Sequence, residues 1–136
     1  MRKNLTNIII CGLGGQGVIT LTRILANAAL LDNYDVKTSE LHGLSQRGGS
    51  VETHVRFGKK IYSPLIMPGQ AYLIIDLTKP KKEFEKPALN GIFMLGYYCH
   101  KKKIFLKPSS VLKAIEKIVP KEYSKENKRI FELAQA

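Results

Sequence analysis

The glycine cluster Gly12-Leu13-Gly14-Gly15-Gln16-Gly17 stands between two runs of different periodicity. Before it, Leu5 to Cys11 is apolar and β-branched and ends at Gly12, the pattern of a buried parallel strand. After it, Val18, Leu21, Leu25, Ala28 and Ala29 recur at helical spacing through Val18 to Leu31, with alanines where a helix must approach a sheet closely. A strand that turns through glycines directly into a helix opens an α/β unit. Gly12, Gly14 and Gly17 also match G-x-G-x-x-G, with Glu40 at the end of the next strand-like run. In a dinucleotide site, such glycines let the backbone approach a pyrophosphate at the helix N-terminus, and an acid at that position takes the ribose hydroxyls. The alternative is a tight βα turn that needs glycine only to pack helix on strand. The pattern by itself does not choose between them.

A second glycine loop follows one βα unit later. Val36 to Leu41 reads as a strand, and His42-Gly43-Leu44-Ser45-Gln46-Arg47-Gly48-Gly49-Ser50-Val51 then joins it to another. Glycines mixed with histidine, glutamine and arginine exceed what a packing loop requires, so the loop is expected to hold a ligand or another polypeptide. Two such loops at this spacing point to one shared edge of a sheet. Ser50 to Phe57 alternates Val51, Thr53, Val55 and Phe57 with Glu52, His54 and Arg56, which predicts a half-buried strand in an antiparallel or edge position. Gly58-Lys59-Lys60 predicts a tight turn into Ile61-Tyr62, as a hairpin. Ala71 to Asp76 predicts a further buried strand. Residues 78–87 are polar and bracketed by prolines, a linker-like break in a single domain spanning 1–136. Helices are predicted over Ala88 to Cys99, Ser109 to Val119 (capped by Ser109 or Ser110) and Lys121 to Ala134. The expected fold is α/β and three-layered, a Rossmann-like, mostly parallel sheet with flanking helices.

Composition narrows the function classes. With 136 residues and 44% hydrophobic content the chain suits one globular domain. Its longest apolar run is far short of the roughly 20 residues that cross a bilayer. The basic start at Arg2-Lys3 precedes only a brief apolar stretch and no small-residue cleavage site, so a cytoplasmic protein with no membrane partner is expected. The net charge of +11 is uneven: residues 1–78 carry eight basic and five acidic side chains, residues 79–136 fourteen and six. Such a tail can meet nucleic acid, a membrane surface or an acidic protein, or be a solvated lysine-rich surface. The lysines are not interleaved with aromatics as in a single-strand-binding groove, so no specific nucleic-acid partner is expected. Cys11 and Cys99 form no Cys-x-x-Cys pair, and no metal site is expected. Cys11 is expected to pack in the core; for Cys99 packing and exposure both remain open.

With Gly12 to Val18 and Glu40 to Val51 both in place, the chain resembles the gamma subunit, or gamma domain, of the 2-oxoacid:ferredoxin oxidoreductases, which include enzymes for pyruvate, 2-oxoisovalerate, 2-oxoglutarate and indolepyruvate. The resemblance continues through His54-Val55-Arg56-Phe57-Gly58, Ile61 to Ile66, Asn90 to Gly96 and Lys125 to Phe131. Family members have a longer α/β stretch before the helix that starts near Asn90; here only the 79–87 linker remains, so the domain is expected to be shortened in its middle. The resemblance implies oxidative decarboxylation of a 2-oxoacid with coenzyme A, giving acyl-CoA, CO2 and reduced ferredoxin. It implies alpha and beta (in some members delta) partner subunits that carry thiamine diphosphate and iron–sulfur clusters. The gamma part is then a scaffold with no catalytic residues or cofactor of its own.

The candidate contacts follow from both readings. Gly12, Gly14, Gly15, Gly17 and Arg47 are the candidates for touching a cofactor. His42, Gly43, Ser45, Gln46, Arg47, Gly48 and Gly49 are the candidates for a subunit interface or pocket edge. Arg47 leads, because a guanidinium fork binds carboxylate or phosphate at two points. His42 and His54 have the titration range of a general acid or base, but hydrogen-bonded structural roles are the simpler expectation. His100, beside Lys101-Lys102-Lys103, is expected to be solvated. A free-standing nucleotide- or coenzyme-binding protein is the runner-up, and a nucleic-acid module driven by charge the third.

Overall fold

The computed structural model describes residues 5–42 and 49–135. Four strands and four helices follow in the order β1 (Leu5–Leu13), α1 (Val18–Leu31), β2 (Asp35–His42), β3 (Ser50–Gly58), β4 (Leu73–Asp76), α2 (Pro87–His100), α3 (Pro108–Ile118) and α4 (Lys121–Leu133). The strands form one sheet ordered β2-β3-β1-β4. The α/β expectation holds. β1, β2 and β4 share a direction, as a mostly parallel sheet requires, but β3 runs against its two neighbours, so the pairing is mixed. β3 is antiparallel, as its alternation predicts, and lies inside the sheet rather than at its edge.

The inner face of the sheet is apolar. Ile8, Ile10, Val55, Phe57 and Ile75 are fully buried there beneath α1, whose Leu21, Ile24, Leu25, Ala28 and Ala29 meet them. The hydroxyls of Thr22 and Thr53 hydrogen-bond at 2.6 Å across this contact. α3 packs on α1, and α4 packs on α2 and α3. One core cluster runs from Ile8 to Phe131 through all of these elements.

Among the described residues the outer face carries no helix. It is crossed by the irregular segment 59–72, a strap held by polar side chains that point outward from three strands. Asp35 Oδ2 accepts the Ile61 N–H at 2.8 Å, and Ser39 Oγ donates to the Pro64 carbonyl at 3.3 Å. His54 Nδ1 accepts the Ile66 N–H at 2.9 Å. Arg56 donates to the carbonyls of Ser63 (2.8 Å) and Leu65 (3.2 Å) and to Asn7 Oδ1 (3.0 Å). Asn7 Nδ2 then donates to the Gln70 carbonyl at 2.9 Å. The expected hairpin at Gly58-Lys59-Lys60 therefore does not form. Ile61 is tied to Asp35 on β2, and the chain crosses the sheet to add β4 parallel to β1.

The Ile61 N–H, with nearby Lys37 and Lys60, holds the Asp35 carboxyl below its ordinary value of 3.8. A depressed folded-state value contributes stability above the unfolded value, and that stability is lost as pH falls through the folded one. The thermal midpoint of wild type should therefore exceed that of Asp35→Asn at neutral pH. The gap should close as the solution is taken below pH 3.8; a gap independent of pH contradicts the assignment.

The expected cap of α3 is also different. Helix α3 begins at Pro108, and no side chain of its own caps it. Asp32, buried at the end of α1, does so from across the fold: Oδ2 accepts the Lys107 N–H at 2.9 Å and Oδ1 the Ser110 hydroxyl at 2.5 Å. Ser110 thus donates to the capping carboxylate. Asp32→Ala removes this link and leaves buried donors unpaired, so it should cost about 2 kcal/mol in urea unfolding. A loss below about 0.5 kcal/mol, the range of an ordinary surface substitution, would show that the link does not hold α3.

Candidate functional site

The ladder register brings the ends of the two sequence loops together. His42 pairs with Val51, and Val51 pairs with Gly12, so the end of β2, the start of β3 and the glycine turn after β1 lie side by side at one edge of the sheet. The shared edge expected from the spacing is present. Of the candidates on the second loop, Gly43, Ser45, Gln46, Arg47 and Gly48 lie outside the described residues. His42 closes β2, and Gly49 sits half-buried just before β3.

The glycines of the first turn have distinct roles. A Cβ on Gly12 would lie 2.8 Å from Gln16 Oε1, 3.0 Å from Val18 and 3.1 Å from Leu77, so this position is glycine for packing. Gly15 and Gly17 both have φ of +86°, where an L side chain is strained, and Gly17 is the N-cap of α1. A Cβ on Gly14 or Gly15 would meet nothing within 4 Å, so the outer half of the turn is open. Gln16 folds back inside: Oε1 accepts the Leu13 N–H at 2.6 Å and Nε2 donates to the Leu77 carbonyl at 3.3 Å. Sequence reasoning assigned nothing to Gln16, which stitches the turn to the chain leaving β4. A recess of about 320 Å3 opens beside the turn, lined by Leu13, Gly14, Gly15, Gly17, Val51 and Ala88 together with the first turn of α1. Among the described residues no charged side chain lines it.

This geometry bears on the dinucleotide alternative. In that arrangement the acid stands on the strand beside β1. Here β3 intervenes, and Glu40 pairs with Thr53, which pairs with Ile10. Two strand spacings of about 4.8 Å separate Glu40 from β1. The G-x-G-x-x-G match therefore marks a real strand–turn–helix without the acid placement a bound ribose needs.

The cysteines and histidines resolve into structural roles. Cys11 is half-buried on the outer face, not in the core as expected, between Asp76 and Glu52 on the neighbouring strands. Burial and then these two carboxylates push its thiol up, the opposite of an activated nucleophile. Cys99 is buried, and burial raises its thiol to about 12. His54 is buried on β3: since Nδ1 accepts from Ile66, Nε2 carries the proton and donates to Glu52 Oε2 at 2.7 Å. His100 is not simply solvated; its ring lies 4.9 Å from that of Phe131, and Nε2 donates to the Phe131 carbonyl at 3.3 Å. Among the described residues no group of histidines, cysteines and acids could hold a metal ion, and no helix is long and apolar enough to cross a membrane. The main polar positions that sequence reasoning missed are Arg56 and Asn7. Their signal was an arginine and an asparagine at outward positions of adjacent strands.

Comparison with known proteins agrees with this fold. The family described as pyruvate ferredoxin/flavodoxin oxidoreductase matches residues 7–77, the segment from β1 through β4. The chain is 46% identical over 70 residues to indolepyruvate oxidoreductase subunit IorB of Thermococcus kodakarensis, covering 52% of this chain and 35% of that protein. It is 49% identical over 71 residues to the same subunit of Archaeoglobus fulgidus, with the same coverage. The matched stretch thus spans about a third of the length of these relatives. Among solved structures, the fold is shared with a keto/oxoacid ferredoxin oxidoreductase gamma subunit from Geobacter sulfurreducens, with a TM-score of 0.69 at 18% identity and 96% of both chains covered. It is also shared with the pyruvate oxidoreductase subunit PORC from Thermotoga maritima, with a TM-score of 0.69 at 20% identity, covering 98% of this chain and 96% of that one. From strand β1 to the end of strand β4, this chain belongs to the pyruvate ferredoxin/flavodoxin oxidoreductase family.

Proposed function

We propose that this chain is the gamma-type subunit of a cytoplasmic, multi-subunit 2-oxoacid:ferredoxin oxidoreductase, and that residues 1–136 act as a single domain within it. The observation that carries the reading is the fold, shared with a gamma subunit over 96% of both chains and joined to the family match over residues 7–77. The complex would oxidatively decarboxylate a 2-oxoacid to acyl-CoA and CO2 and pass electrons to ferredoxin. Thiamine diphosphate, iron–sulfur clusters and the reacting bonds belong to alpha, beta and, where present, delta partners. The chemistry within this chain fits that division: burial raises both thiols, and the buried His54 is hydrogen-bonded through both ring nitrogens.

In this reading the edge formed by the two loops works as a scaffold. Gly12 and Gln16 hold the first turn closed on its inner side while Gly14 and Gly15 leave its outer side open. That open side, with His42, Gly43, Ser45, Gln46, Arg47, Gly48 and Gly49, faces a partner subunit or borders the pocket it closes. Coenzyme A is the cofactor whose phosphates suit Arg47 and the α1 N-terminus.

Activity tests this directly. A 2-oxoacid and coenzyme A should drive dye or ferredoxin reduction by the whole complex. The chain alone should be inactive, and the complex prepared without it should lose at least tenfold. Full activity without the chain would refute the assignment.

A further inference from the structure

The strap-covered face of the sheet differs in character from the rest of this basic molecule. Of 22 lysines and arginines, none falls between Ile61 and Thr78. That stretch instead exposes Tyr62 (86%), Leu65 (45%), Met67 (65%) and Ile74 (54%). Met67 and Ile74 border a recess of about 450 Å3 whose lining includes Ile9 and Ile66, with His54 and Glu52 on its wall. Glu52, which lines the recess, and Asp76, outside it and accepting from the Thr78 N–H and hydroxyl, stand on either side of Cys11 at the same ladder level. The Glu52 side chain is 44% exposed.

Large exposed apolar side chains gathered round a recess mark an interaction surface rather than an ordinary monomer face. The charge pattern limits the occupant. A chain of net charge +11 repels basic partners over most of its surface, whereas the recess is lined by the carboxylate of Glu52 and, among the described residues, by no lysine or arginine. A second copy is disfavoured, because two chains of net charge +11 repel each other.

We propose that the surface formed by Met67 and Ile74 around the Glu52–His54 recess receives an apolar side chain of a partner subunit, flanked there by lysine or arginine that pairs with Glu52. The proposal rests on the subunit reading above and specifies the face through which assembly occurs. The recess takes the apolar anchor, and the paired charges fix its register. His54 serves the surface from behind: it holds Glu52 with one nitrogen and the strap at Ile66 with the other, so the recess is formed before the partner arrives.

The test uses the full tagged chain purified from its native host, with the co-purifying larger subunits identified by mass. Ile74→Arg and Met67→Arg alter side chains that are already more than half exposed and should leave the thermal midpoint of the chain unchanged. Each should reduce recovery of the larger subunits at least tenfold. Glu52→Gln keeps an acceptor for His54 but removes the charge, so it should weaken assembly several-fold and flatten its salt dependence. Lys117→Glu, on the exposed side of α3, should change nothing. If both arginine variants assemble like wild type, the proposal is wrong while the subunit reading stands. If wild type itself brings down no larger subunits, the subunit reading fails and this proposal with it. If wild type alone sediments as a dimer that Ile74→Arg dissociates, the occupant is a second copy and the proposal is overturned.

Discussion

Arg56→Met should destabilise the chain by about 3 kcal/mol in urea unfolding, one of the two largest effects expected outside the apolar core. Hydrogen bonds to a charged group each contribute about 1.5–3 kcal/mol, less than additively when they share one side chain. Arg56 makes three, to Asn7 Oδ1, the Ser63 carbonyl and the Leu65 carbonyl, and it is the main link between β3 and the strap. Methionine preserves the stem packing and removes every donor. Arg56→Lys separates charge from geometry, since a single ammonium cannot serve three acceptors spread across a guanidinium fork. It should recover less than half of the loss. Amide exchange should rise across residues 61–70 in both variants while α1 stays protected. A loss below about 0.5 kcal/mol in Arg56→Met, with no change in exchange, would mean that the strap is held by other contacts.

Gly96→Ala should cost a similar amount for a different reason. Gly96 lies in the middle of α2, where alanine is ordinarily favoured by about 1 kcal/mol. Here a Cβ would stand 2.4 Å from the Phe131 carbonyl oxygen and 3.0 Å from the Ala134 Cβ. The obstacle is the backbone of α4, which no rotamer change relieves, so α2 and α4 must move apart. Overpacking of this kind costs about 1–3 kcal/mol, or more where the neighbour is rigid. Net destabilisation of about 2–3 kcal/mol is expected, with a lower thermal midpoint and loss of the His100–Phe131 contact. Stabilisation in Gly96→Ala, the ordinary outcome for a helix interior, would show that α2 and α4 are not packed this closely.

The local elements were legible because their signals are local. The apolar spacing in α1 gave both of its ends, and the alternation in β3 gave an antiparallel strand. The glycines gave a strand–turn–helix, and the register at Gly12, Val51 and His42 places both loops at one edge. What escaped the sequence was set by distant partners. The position of β3 between β2 and β1 depends on which strands pair, and side-chain alternation reports a face without naming a neighbour. The turn at Gly58-Lys59-Lys60 has hairpin composition, yet Asp35 captures Ile61 before a second hairpin strand can form. The cap of α3 comes from Asp32, 75 positions before Lys107. Ser109 and Ser110 are the local cap candidates, and neither caps the helix. Glu40 shows the same limit, since a correctly spaced acid stands beside the turn only when its strand pairs with β1.

Motif likeness pointed to the loop at residues 42–51, whereas the described structure emphasises the strap, the outer face of β3 and the short edge strand β4. His54, Arg56 and Ile61 to Ile66 belong to both. The structure gives them a shared purpose: two polar side chains of β3 clasp the main chain that follows it. An apolar strap held in this way stays on the outer face of the sheet and presents its side chains outward.

Native mass spectrometry of the chain, isolated gently from its host through a terminal tag, tests the central claim most directly. The account predicts stoichiometric complexes with larger subunits whose excess mass and absorbance correspond to thiamine diphosphate and iron–sulfur clusters. A chain recovered only by itself, or only with copies of itself, would contradict it.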